Sequence, residues 1–189
     1  MESVVSTPDP APAAPASSPA ASLRRLYLLR FAFAAVWAGL LFTSADTLGP
    51  LSKTLLVLYP LFDVACAIVD VRSARAGRGP VRGLYANIAL SVLTTAGLLA
   101  AVASGIPDVL RLWGAWAITA GLVQLTVGVL RRGMGGQIPM IVSGGISALA
   151  GASFIAQAAK DGASLTNLAG YAFLGGVFFL VSALRLRRR

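Results

Sequence analysis

The chain has 189 residues, of which 57% are apolar and 12% charged, with a net charge of +9 and no histidine. A soluble domain carries about 25% charged residues, and here the few charges are clustered so that long uncharged runs remain. With one cysteine and no histidine, disulfides within the chain, cysteine-only metal sites and imidazole-based catalysis are excluded; the sequence calls for no metal and no cofactor.

Residues 1–22 read as a disordered cytoplasmic tail. The stretch Pro8-Asp9-Pro10-Ala11-Pro12-Ala13-Ala14-Pro15 has no periodic apolar face. It also lacks the basic start and adjoining apolar core of a secretory signal. Residues 23–189 read as an all-α integral membrane domain. Six transmembrane helices are predicted, as three sequential antiparallel hairpins: Leu26–Ala45, Leu51–Val71, Leu84–Ser104, Val109–Leu130, Ile138–Ala158 and Leu165–Leu184. The uncharged runs between Arg82 and Asp108, Arg111 and Arg131, Arg132 and Lys160, and Asp161 and Arg185 hold 25, 19, 27 and 23 residues. About 20 apolar residues cross a ~30 Å hydrocarbon core. The first two spans are less apolar, since span 1 carries Arg30 and span 2 carries Pro60, Asp63 and Asp70. Gly49-Pro50, Gly77 to Pro80, Gly105, Gly133 to Gly136 and Gly162 punctuate the connections. Trp37, Trp113 and Trp116 read as packing residues or interface anchors, and Trp113, beside Arg111, fits the outer interface.

Thirteen of the 16 basic residues fall on one side of this arrangement, and only Lys53, Arg111 and Lys160 on the other. The positive-inside rule then places both termini in the cytoplasm of a cell with an inner (plasma) membrane. The arginines flank spans instead of forming one patch, which argues against a nucleic-acid partner. The bilayer is the partner that the sequence implies; it identifies no protein partner.

An internal repeat is visible. Gly39, Gly97 and Gly151 lie in the first helix of each hairpin, and the arginines that end the second helices follow 33, 34 and 34 residues later. Gly121 and Gly175 occupy matching places in spans 4 and 6, where span 2 has Asp63. Glycine in a membrane helix marks close helix approach, so Gly39, Gly97, Gly121, Gly151 and Gly175 are expected packing sites. In span 5, Ser143, Ser147 and Gly151 share a face, with Gly144, Ala148 and Ala152 beside it. Packing within the bundle is the first use of such a stripe, and a homo-oligomer contact the second.

Asp63 lies within a span, and a bare carboxylate there costs on the order of 3 kcal/mol. It needs a partner. Asp70 is two helical turns away on the same face. Arg30 enters span 1 from the same side, and Asn87 and Gln124 reach comparable depth. Asp63, Asp70, Arg30, Asn87 and Gln124 are therefore the candidate intramembrane polar site. Two uses are open: an ion pair that fixes the first hairpin, or a proton- or solute-responsive centre. No nucleophile–base pair stands out, so no enzyme is expected.

Three apolar hairpins with Ala38-Gly39-Leu40-Leu41, Ala96-Gly97-Leu98-Leu99, Gly121, Gly175 and terminal arginines resemble the HdeD-like family of small bacterial membrane proteins. The resemblance covers about Leu26 to Arg188. It implies a non-enzymatic multi-pass membrane protein tied to acid or envelope stress, and brings no catalytic motif. Asp63 departs from the glycine pattern. A small transporter or channel for protons or a small solute is the alternative.

Overall fold

The computed structural model describes residues 19–76, 81–130 and 138–186. Among them are six α-helices and no strand: α1 (Pro19–Phe42), α2 (Pro50–Ala76), α3 (Arg82–Ser104), α4 (Ile106–Leu130), α5 (Ile138–Gln157) and α6 (Thr166–Leu186). Residues in α1, α2, α3 and α6 form helices long and apolar enough to cross a membrane. The described part of the protein is therefore all-helical, with the character of a membrane-embedded chain.

The helix ends follow local chemistry. α1 begins at Pro19, so residues 19–22 belong to the helix and not to the tail assigned from sequence. Proline suits the first helical turn, where no donor is lost. α1 stops at Phe42 rather than Ala45, as Thr43 and Ser44 turn their hydroxyls onto the carbonyls of Leu40 and Leu41. Side chains of this type compete with the helix ladder and favour its end. Between α3 and α4 a single residue, Gly105 at φ 130°, makes the turn. That backbone angle is open to glycine and strained for other residues. Ile106 can thus begin α4 at once, three residues before the expected start.

Successive helices touch, and α6 returns to α1, so the six form a closed ring. The closest pairs are α4 with α5 and α1 with α6; α5 and α6 barely meet. The α4–α5 seam is glycine on glycine. A Cβ on Gly114 would lie 2.6 Å from the Gly151 carbonyl oxygen, and one on Gly121 the same distance from that of Gly144. The reverse approaches, from Gly144 and Gly151, are 2.7 and 2.5 Å. Backbones this close require residues without side chains. Gly144, Ala148 and Gly151 of the small-residue stripe of α5 thus pack against α4, within the chain. Among the packing glycines expected from the repeat, Gly121 and Gly151 lie in this seam and Gly97 faces Leu112 of α4. Gly39 and Gly175 do not pack: nothing lies within 4 Å of a Cβ built on either. Gly176, the next residue, faces Ala34 of α1 instead, at 3.0 Å.

The apolar core gathers toward the end bearing the α1–α2 and α5–α6 connections, around Trp37, Leu41, Leu56, Leu98, Trp113 and Phe154. Trp113 is fully buried there and packs within the protein. The two connections are themselves joined, since the Leu165 amide donates to the Ala45 carbonyl at 2.9 Å.

Candidate functional site

The opposite half of the ring holds a charged cluster built from four helices. Arg30 sits at the middle of α1, and Asp63 and Asp70 lie two turns apart on α2. One guanidinium nitrogen of Arg30 donates to Asp63 Oδ1 at 3.0 Å. The other stands 3.6 Å from Asp70 Oδ2. The second Asp63 oxygen accepts from Asn87 Nδ2 at 2.7 Å and from Ser91 Oγ at 2.9 Å, both on α3. The Arg30 guanidinium lies over the Phe179 ring of α6, 4.9 Å from its centroid. Arg30 and Asp63 expose only 11% and 17% of their side chains, so these contacts form where water is scarce and charge-assisted bonds are strong.

Each placement has a local cause. Asn87 and Ser91 are four apart, so one helix face delivers both donors to a single oxygen. Pro60, buried in α2, cannot donate to the carbonyl of Leu56, one turn back. The neighbouring carbonyl of Leu55 accepts the Trp37 indole N–H at 2.6 Å. That bond joins α1 and α2 a second time, two turns from Arg30.

Of the residues singled out from sequence, Arg30, Asp63, Asp70 and Asn87 come together. Gln124, half-buried on α4, stands outside the set from which Asp63 accepts. Ser91 and Phe179 were not foreseen. The spacing of Ser91 from Asn87 is the signal that points to it. Phe179 carries none, because a phenylalanine in an apolar span reads as ordinary packing.

Between this cluster and the far end of the ring lies an aromatic layer. Phe33 stacks on Phe62 with centroids 3.7 Å apart. Tyr59 contacts Trp37, Trp113 and Trp116 at 4.7, 5.4 and 6.4 Å. Trp113 and Trp116 meet edge to face at 4.9 Å, and neither indole N–H has a hydrogen-bond acceptor. Side chains from α1, α2 and α4 thus fill the middle of the ring with apolar rings. Among the described residues, no group of three histidine, cysteine or acidic side chains gathers to hold a metal. Compared with known proteins, the chain matches no family model, no curated protein and no solved structure.

Proposed function

We propose that this chain is a non-enzymatic membrane protein of the HdeD-like type that serves envelope or acid-stress tolerance. In this reading all six helices cross the inner (plasma) membrane of a bacterium, and both termini face the cytoplasm. The lengths support it: the 25 residues of α4 and 20 of α5 span about 38 and 30 Å at 1.5 Å per residue. The basic ends of α2 and α6, with Arg75 and Arg185 in their last turns, support the orientation.

The observation that carries the non-conducting reading is the aromatic layer beyond Asp63. A conduit needs a continuous polar path, and here Trp37, Tyr59, Trp113 and Trp116 interrupt it. Asp63 itself is bonded by three protein donors, which suits a lock between helices. The test has two arms. Deleting the gene should lower survival in acid, and purified protein in liposomes should pass neither protons nor common ions. Proton flux above empty liposomes would overturn the assignment.

A second reading, a small transporter for protons or a solute, is favoured by one feature. Two carboxylates share the single Arg30 guanidinium, so the ionised cluster carries one excess negative charge, and paired carboxylates commonly hold a proton. Flux abolished by Asp63→Asn would establish it.

A further inference from the structure

α5 and α6 meet at one end only. There Asn167 Nδ2 donates to Gln157 Oε1 at 3.2 Å, and Phe154 meets Tyr171 edge to face at 5.6 Å. The last hydrogen bond between them among the described residues is that of the Tyr171 hydroxyl, which donates to Ser147 Oγ at 3.0 Å. Beyond it the two helices part toward Ile138 of α5 and Arg185 of α6. The gap is a hollow of about 290 Å³ lined chiefly by Ile138, Val142, Leu174, Phe178, Val181 and Arg185. A smaller one of about 30 Å³ beside Tyr171 and Gly175 extends it inward. Gly175 helps to open this inner end, because nothing stands where its side chain would be.

The gap is built into the ring. α5 is held from behind by the glycine seam with α4, and α6 by the contact of Gly176 with Ala34 on α1. Closing the hollow would open one of those seams. Its walls are apolar, and Ser182 turns its hydroxyl back onto the Phe178 carbonyl at 2.8 Å. Leu174, Val142 and Val181 are exposed to the outside. The one charge is Arg185, exposed in the last turn of α6 and without an acidic partner among the described residues.

We propose that this slot holds one acyl chain of an anionic phospholipid, with Arg185 against the phosphate of its headgroup. From Leu174 to Arg185 the slot runs about 16 Å at 1.5 Å per residue, close to half of a ~30 Å hydrocarbon core and thus one leaflet. The slot offers an apolar track along one leaflet, and Arg185 at its end supplies the charge that an anionic headgroup complements. The site goes beyond the functional reading above and needs only that the chain lies in a bilayer.

Native mass spectrometry of the full chain, purified in mild detergent and exchanged against phosphatidylglycerol or phosphatidylcholine, tests this. The wild type should retain one phosphatidylglycerol per chain in preference to phosphatidylcholine. Arg185→Gln should lower that retention roughly fivefold, the worth of one basic residue at an anionic surface. Val181→Trp should fill the slot and reduce retention of both lipids, while the melting temperature shows that the fold persists. A wild type that retains neither lipid, or variants that retain as much as the wild type, would overturn the proposal. So would a lipid-free dimer that Val181→Trp dissociates, since the slot would then belong to a second copy. None of these readouts depends on topology or on acid survival, so the lipid site and the stress role fail separately.

Discussion

Asp63 is held by three donors on two neighbouring helices, and its removal acts first on Arg30. In Asp63→Asn the guanidinium keeps only Asp70, at 3.6 Å. Leaving a buried charge wholly uncompensated costs about 3–5 kcal/mol; with Asp70 still beside Arg30 the loss is smaller, and a fall in melting temperature in detergent is expected. Unchanged melting with loss of acid survival would assign Asp63 to proton or solute handling instead. Arg30→Lys should also destabilise, because an ammonium cannot span two carboxylates while lying flat on Phe179. Much of this cluster was legible in the sequence, since a carboxylate inside an apolar span demands partners and few polar residues share its depth. Ser91 escaped because a serine in a membrane helix reads as a small packing residue.

At the level of helices, the repeat misdirected the choice of glycines. It aligns positions along the chain, whereas packing selects positions that face each other in space. Gly114 and Gly121 on α4 oppose Gly151 and Gly144 on α5 in antiparallel register, and two of these four have no place in the repeat. Gly39 is aligned in sequence yet faces open space. Opposite outcomes follow for two similar substitutions. Gly144→Ala places a methyl group 2.7 Å from the Gly121 carbonyl oxygen, so the seam must part, at about 1–3 kcal/mol for overpacking. Gly39→Ala meets nothing and should be neutral or stabilise by up to about 1 kcal/mol through helix propensity. Thermal unfolding of the two variants in the same detergent separates them.

For the whole molecule, the proposed orientation rests on the charge bias along the chain, with 13 of the 16 basic residues on one side. Labelling single cysteines from outside the cell checks it. Cys66 is buried, 3% exposed, and its replacement gives a background without competing thiols. Thr47→Cys and Asp161→Cys, in exposed connections, should react with a membrane-impermeant reagent. Cysteines at positions 77 and 134, which lie outside the described residues, should react only after the membrane is opened. The reverse pattern would invert the orientation. The ring itself was not legible: short connections predict that neighbours in sequence touch, and they do not reveal that α6 closes on α1 or that α5 and α6 part.

The closure of α6 onto α1 has a consequence for biogenesis. During synthesis, α1 enters the bilayer with Arg30 while Phe179, which covers it in the finished ring, has yet to be translated. At 5–20 residues per second the interval is on the order of ten seconds. An arginine within a span is costly to leave alone, by roughly 3 kcal/mol on insertion scales. Asp63 arrives first, on the very next helix, so the ion pair can retain α1 in the membrane while the intervening helices are made. Asp63→Ala should therefore reduce the yield of inserted protein in a pulse-chase experiment, before any effect on the mature protein is measured. A second substitution, Arg30→Leu, should restore that yield.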